Sequence, residues 1–169
     1  MTNSFRLTTQ RFILKTLTPD YASQEYLSWL SQNETGKFIL NKPQTIDDLK
    51  QYIKQFCDNH FVYFLAIIDK DSNLHIGNIK FEFLNNSFDN VEMGILIGNR
   101  NYHGKGVAGE VIKGFAHFSV DKLSTKTMSL GVNKSNTAAV KAYEKLGFQV
   151  DSSTCTDNEM MMSWDLPKL

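Results

Sequence analysis

Three glycines, Gly104, Gly106 and Gly109, are the residues whose spacing most directly indicates chemistry; they stand in the stretch "NYHGKGVAGEV". Glycine lets a backbone approach a ligand closely, and a helix N-terminus presents free N–H groups to an anion. An apolar pattern with helical spacing follows the loop, so we expect a phosphate cradle at the start of a helix. The alternative is a glycine-rich turn that caps a helix and binds nothing.

The same glycines match G-x-G-x-x-G, which is typical of dinucleotide-binding folds and would imply a nucleotide-dependent oxidoreductase. That fold places its first glycine almost directly after a strand and an acidic residue about 20 residues later. Here "GNRNYH" separates the predicted strand from Gly104, and the next strand ends in "SLGVNKSN", without a carboxylate. A P-loop does not fit either, because Gly106 rather than Ser or Thr follows Lys105.

A second motif, "NKSNTAAVKAYEKLGF" at 133–148, follows the first, "NYHGKGVA" at 101–108. They resemble N-x-x-A/S-x-x-x-Y-x-K/R-x-G-F and Q/R-x-x-G-x-G/A of the GNAT superfamily of acyl-CoA-dependent N-acetyltransferases. Asn101 departs from the usual Gln or Arg, as is common in the branch that resembles ribosomal-protein-alanine acetyltransferases. The matching positions of the later motif are Asn136, Ala139, Tyr143, Lys145, Gly147 and Phe148.

The resemblance implies an α+β fold with a mixed, mostly antiparallel sheet of about six or seven strands and about four flanking helices. Two neighbouring parallel strands, "EMGILI" and "TMSLGV", would splay apart at one end. Their connection through the helix from Val107 is a βαβ crossover, which independently predicts parallel pairing. The splayed edges would leave backbone groups free to pair with the amides of pantetheine.

Acetyl-CoA is therefore the implied cosubstrate, with no metal. Its pyrophosphate would lie against the N–H groups of Gly104, Gly106 and Val107, with Lys105 adding charge at the rim. The residues that the resemblance assigns to the cosubstrate are Ile95, Leu96, Ile97, Tyr102, His103, Gly104, Lys105, Gly106, Val107, Ala108, Asn136, Ala139 and Tyr143.

Amide formation also needs an acid for the leaving thiolate, a base for the amine and a donor for the developing oxyanion. Tyr143 is the predicted acid; it follows Asn136 by two helical turns, so both share one helix face. Packing beside Ala139 and Leu146 is the alternative for Tyr143, and helix capping alone would explain Asn136. A free N–H near Ile97 is the predicted oxyanion donor.

The base is predicted to be Glu92, acting directly or through water, because this branch often carries an acidic residue two positions before a glycine such as Gly94. The alternative is a solvated charge near Asp89. Glu82 and His75 are weaker candidates on the preceding strand.

Composition argues against several other classes of protein. The 18 basic and 18 acidic side chains cancel, which argues against a nucleic-acid-binding surface. No apolar run approaches the ~20 residues of a membrane span, and no signal peptide is expected. Cys57 and Cys155 have no metal-ligand spacing, and the histidines are scattered, so no metal site is predicted. We expect a cytoplasmic monomer or homodimer.

Hydrophobic periodicity predicts one N-acetyltransferase domain over 1–169. The predicted strands are 11–18, 61–70, 74–85, 91–98, 127–132, 148–153 and 159–166, and the predicted helices are 18–32, 45–59, one from Val107 and 135–147.

The resulting functional hypothesis is acetyl transfer from acetyl-CoA to a primary amine of a small molecule, such as an amino sugar, by direct attack in a ternary complex. The alternatives are N-terminal acetylation of a ribosomal protein and a non-catalytic acyl-CoA-binding module. The resemblance places the amine pocket near 28–43. Glu34, Asp47 and Asp48 give only a slight acidic character, which a polycationic acceptor would require.

Overall fold

One eight-stranded sheet dominates the computed structural model, which describes residues 4–31, 42–153 and 155–167. The strands are β1 (Arg6–Thr8), β2 (Phe12–Thr16), β3 (Val62–Asp69), β4 (His75–Phe83), β5 (Asn90–Ile97), β6 (Thr127–Asn133), β7 (Gln149–Val150) and β8 (Glu159–Asp165). Their order across the sheet is β1-β2-β3-β4-β5-β6-β8-β7. Only β5 and β6 pair in parallel, so the described sheet is mostly antiparallel, as predicted.

Four α-helices flank the described sheet: α1 (Gln24–Ser31), α2 (Ile46–Cys57), α3 (Val107–Leu123) and α4 (Thr137–Leu146). Local sequence explains their ends. Thr45 and Asp48 form a complete capping box at α2, and the Asn136 side chain accepts a hydrogen bond from Ala139 N at the start of α4. Gly147 ends α4 with a φ of 120°, which favours glycine.

The number of strands and the start of the first helix differ from the prediction. Strand β1 brings the sheet to eight strands; its three residues are too few to show a period-two pattern. The first helix begins later than predicted, because Pro19 starts a 3-10 turn, Pro19–Tyr21, and α1 begins at Gln24. The Ser23 hydroxyl accepts a hydrogen bond from Tyr26 N at 3.0 Å and so caps α1.

Alternating side chains divide the sheet between two apolar cores. On one face, residues such as Phe81, Met93 and Leu130 pack against Val111 and Phe115 of α3. On the other, residues of α1 and α2 cover the β2–β4 half; this core comprises Leu17, Tyr26, Trp29, Leu30, Leu49, Ile53, Ala66 and Ile68. Within the described residues, no helix is long and apolar enough to span a membrane.

The face opposite α3 continues beyond β4 with exposed or half-buried side chains. We call this part of β5, β6 and β8 the open face; it carries Glu92, Gly94, Gly131, Glu159 and Met161. These residues alternate with Met93, Leu130 and Met162, which point into the α3 core.

Candidate active site

The parallel strands β5 and β6 separate halfway along their length. Their pairing runs from Asn90 opposite Thr127 to Met93 opposite Leu130 and then stops. Beyond it, β5 continues to Ile97 on β4, and β6 continues to Asn133 on β8. The predicted splayed pair is therefore confirmed. The facing edges of 94–97 and 131–133 offer backbone groups that do not pair with each other.

The glycine loop lies between the end of β5 and the start of α3. A 3-10 turn, Arg100–Tyr102, leads into it, and the Asn99 side chain accepts a hydrogen bond from Asn101 N. Gly104 and Gly106 have φ angles of 71° and 74°, which L side chains rarely adopt, and α3 begins directly afterwards at Val107. A Cβ at Gly104 would meet no atom within 4 Å, so the loop is open at this point.

The backbone N–H groups around this loop are available to a ligand. Tyr102 N and His103 N close the 3-10 turn. In the described part of the chain, nothing accepts from the N–H groups of residues 104–109. The first turn of any α-helix leaves such groups without a partner inside the helix. The loop therefore combines a helix N-terminus with two residues in the left-handed conformation, which suits a phosphate group.

Two side chains of the loop hold it to the sheet. His103 Nε2 lies 2.6 Å from Ile97 O, and the Tyr102 hydroxyl donates to Asp69 Oδ2 at the end of β3. This hydrogen bond lowers the pKa of Asp69 and raises that of Tyr102. Both side chains thus have structural partners that the sequence did not reveal.

Arg11 braces the loop from the N-terminal part of the chain. Its Nε contacts Glu110 Oε2 at 2.6 Å, and its Nη1 donates to Lys105 O at 3.0 Å. Glu110 Oε1 also accepts from Arg11 N at 2.6 Å and from the Thr9 hydroxyl at 2.7 Å. Burial opposes ionisation of Glu110, but these hydrogen bonds outweigh it and hold the pKa of the carboxyl below its ordinary value.

Sequence reasoning missed this brace. Arg11 and Glu110 stand 99 residues apart, and neither belongs to the positions that carried the family resemblance. The local sequence shows only that a carboxylate, Glu110, stands in the first turn of the predicted helix, and the helix dipole already explains an acidic residue there.

Tyr143 lies on α4 with its ring in the α3 core, 8% exposed, where it packs edge-on against Phe148 at 5.9 Å. Burial raises the pKa of its hydroxyl. No described residue hydrogen-bonds the hydroxyl. Its oxygen is not among the fully buried atoms that lack a partner, which are Asn78 Nδ2 and Thr125 Oγ1. The ring is therefore held by packing while the hydroxyl can still reach a ligand.

Glu92 lies on the open face of β5, two residues before the splay, and is exposed. Its cross-strand neighbour on β4 is Glu82, whose carboxylate contacts Lys80 Nζ at 4.0 Å. Glu92 itself has no cation partner among the described residues. A carboxylate beside a second carboxylate, at the mouth of the splay, is suited to receive a cationic group.

His75 has a different environment from Glu92. Its ring is surrounded by Tyr21, Tyr26 and Trp29, with centroid distances of 5.1, 5.8 and 5.1 Å, and its Nε2 lies 2.7 Å from Asn78 Oδ1. Burial lowers the pKa of this histidine, although the hydrogen bond with Asn78 opposes the shift. The imidazole is thus built into the aromatic core beneath α1.

The remaining predicted residues occupy the two sides of the splay. Ile95 and Ile97 pack against the α3 core, and Leu96 packs against the α1–α2 core. Asn136 and Ala139 lie at the start of α4, just after the end of β6.

Glu34 and part of the predicted amine-pocket segment lie outside the described residues. No cluster of three or more potential metal ligands occurs in the described ranges.

Comparisons with known proteins identify the family. The model of an acetyltransferase (GNAT) domain matches residues 11–149. A search of curated proteins finds no significant match.

Among solved structures, a GNAT-family acetyltransferase from Bacillus anthracis superposes with a TM-score of 0.77 at 17% identity, covering 95% of this chain and 98% of its own. A Vibrio cholerae protein named provisionally as a ribosomal-protein-serine acetyltransferase gives 0.78 at 16% identity, over 98% and 99% of the two chains. Mutant forms of a spermidine/spermine N-acetyltransferase from Vibrio cholerae give 0.75 at 17%, over 92% and 94%. At these identities the superpositions show a shared fold, while the family model spans most of this sequence, and the chain therefore belongs to the GNAT family of acetyltransferases.

Proposed function

We propose that residues 1–169 form one N-acetyltransferase domain that transfers an acetyl group from acetyl-CoA to a primary amine of a small molecule. The observation that carries this proposal is the splay of β5 and β6 beside the unpaired N–H groups at the start of α3. GNAT enzymes use acetyl-CoA as cosubstrate. Because its thioester is already activated, the residues of the site need only position the two substrates and transfer protons.

The described residues fit coenzyme A at both ends of this site. The open loop at Gly104 and the N–H groups of residues 104–109 suit the pyrophosphate. Lys105 is exposed beside them and adds positive charge. The free edge of 94–97 suits the amides of pantetheine, which can bind as an added strand. Tyr102 and His103 support this cradle through their contacts with Asp69 and Ile97.

Direct attack in a ternary complex assigns a role to each candidate residue. Glu92, or a water that it holds, accepts a proton from the amine on the open face. A backbone N–H on the free edge of β5 donates to the thioester oxygen as negative charge develops there. The Tyr143 hydroxyl is protonated at neutral pH, and burial raises its pKa further above that range, so it can protonate the departing thiolate.

The experiment that tests this proposal is an amine screen with purified protein and acetyl-CoA, read as release of free thiol. The panel contains amino sugars, polyamines, aminoglycosides and peptides with a free N-terminus. We expect turnover with one class of small amine and little with the peptides. Preferred turnover of peptides would instead support N-terminal protein acetylation. Binding of acetyl-CoA without thiol release from any amine would favour a non-catalytic acyl-CoA-binding module, and binding of NAD in its place would refute the proposal.

A further inference from the structure

The open face carries a carboxylate close to the splay, that of Glu159, to which the roles above assign nothing. Glu159 begins β8 and pairs with Asn133 at the end of β6. Its side chain lies back across Gly131: a Cβ at position 131 would overlap Oε1 and lie 3.1 Å from Cδ. The absence of a side chain at Gly131 therefore makes room for this carboxylate above β6.

This position is at the mouth of the splay. Met93 and Leu130 form the last pair between the parallel strands, so Gly94 and Gly131 are the first residues beyond it. A Cβ at Gly94 would meet no atom within 4 Å, which means that this part of the open face is unobstructed. A ligand on the open face can therefore reach a group that lies between the separated strands. Glu92 flanks this position on the β5 side and Glu159 flanks it on the β6 side.

Glu159 is half-buried. It belongs to none of the ion pairs between described residues, which are Arg11–Glu110, Lys80–Glu82, Lys122–Asp121 and Lys126–Asp89. A partly desolvated carboxylate outside any ion pair can form a charge-assisted hydrogen bond with a cationic ligand.

The backbone of Glu159 is fixed before any ligand arrives. Its N–H donates to the Thr156 hydroxyl and its carbonyl accepts from Thr156 N, both at 3.0 Å. The carboxylate is therefore presented from a strand end closed by a turn, so binding a ligand costs little additional ordering of the backbone.

We propose that Glu159 binds the ammonium group of the acceptor amine on the open face. This inference rests on the proposed acetyl transfer. Glu159 acts as a specificity-determining residue: it holds the ammonium group on the open face, and Glu92 or its water then removes the proton so that the nitrogen has a lone pair for attack. Its loss affects the binding of the amine and not that of acetyl-CoA.

The test compares Glu159→Gln with Asp165→Asn. Asp165 is exposed on the same strand and the same face, at the far end of β8, so its variant removes an equal charge away from the splay. Spermidine and benzylamine serve as ammonium probes, and 2,2,2-trifluoroethylamine serves as a weakly basic amine that is largely uncharged at neutral pH. We expect Glu159→Gln to raise KM for the ammonium probes by about tenfold to a hundredfold, the worth of a charge-assisted hydrogen bond. For Glu159→Gln, the Kd for acetyl-CoA and the KM for trifluoroethylamine should stay within about twofold of the wild-type values. All constants of Asp165→Asn should stay within the same range.

Gly131→Ala provides a second variant that keeps the charge. Its added methyl group displaces the carboxylate, so we expect the same direction of change in KM for the ammonium probes. If this variant does not fold, the KM values of Glu159→Gln alone test the inference.

An unchanged KM of Glu159→Gln in an active enzyme would overturn the inference and leave the proposed function intact. If the wild type acetylates none of the amines, the proposed function fails instead. Calorimetric titration of spermidine into the CoA complex then tests Glu159 separately: weaker binding by Glu159→Gln supports the inference, and equal or absent binding by both proteins overturns it.

Discussion

Replacing Tyr143 with phenylalanine separates its proposed chemistry from its packing. The substitution removes one oxygen and keeps the ring that packs against Phe148 at 5.9 Å in the α3 core. No described residue hydrogen-bonds the hydroxyl, so the change leaves no partner unpaired. We therefore expect the free energy of unfolding to change by less than about 1 kcal/mol.

The effect on turnover should be much larger. A positioned general acid contributes about 10²- to 10⁴-fold to a rate. We expect kcat to fall at least about a hundredfold, which corresponds to ~2.7 kcal/mol of transition-state stabilisation. Burial raises the pKa of Tyr143, so the hydroxyl of the wild type stays protonated throughout the neutral range. The loss of kcat should accordingly be as large at pH 6 as at pH 8.

The assay follows thiol release from acetyl-CoA with an amine that the wild type acetylates, and calorimetry gives the Kd for acetyl-CoA. Tyr52→Phe is a matched control, because this half-buried tyrosine lies on α2 and packs against Phe56 and Phe64. Its kcat should equal that of the wild type. A kcat for Tyr143→Phe within about threefold of the wild type, with acetyl-CoA affinity unchanged, would refute the assignment of Tyr143 as the acid.

Three further outcomes test the rest of the site. Gly104→Val should abolish the thermal shift that acetyl-CoA gives, because a β-branched residue at a φ of 71° distorts the loop and projects into its open side; a normal shift would contradict the placement of the pyrophosphate. Glu92→Gln should lower kcat/KM most at low pH, where deprotonating the amine is hardest; a uniform small loss would indicate a water or another base. Arg11→Ala should weaken acetyl-CoA binding about tenfold, or ~1.4 kcal/mol, with kcat at saturation nearly unchanged, because the loop loses its contacts to Glu110 and Lys105; equal Kd values would show that the brace does not position the loop.

Stability should also depend on pH through His75. Burial lowers its pKa below the ordinary 6.5, so the unfolded chain binds the proton more readily than the folded one. The stability that this group contributes is present above about pH 6.5 and is lost as the pH falls through the folded pKa. His75→Gln should reduce the fall in Tm between pH 7 and pH 5, measured by scanning calorimetry, and an unchanged profile would show that other groups cause it.

Motif reasoning predicted the parts of the site that depend on neighbouring residues. The capping box of α2, the Asn136 cap of α4 and the Gly147 terminator of α4 follow from single residues within a turn, and the positive φ angles of the loop follow from glycine itself. The splay was predicted only through family resemblance, since no period in "EMGILI" or "TMSLGV" shows where pairing stops. The roles of Tyr143 and Glu92 remain predictions.

The sequence by itself determined most of the strands and helices, where the glycine loop lies and which family the chain resembles, because those features depend on periodicity, capping and glycine spacing over a few residues. Only the tertiary structure decided the partners of these elements. It joined Arg11 to Glu110 across 99 residues, placed Glu159 over Gly131 and enclosed His75 among three aromatic rings. Contacts of this kind depend on strand order and register, which bring distant residues together and leave no local pattern in the chain.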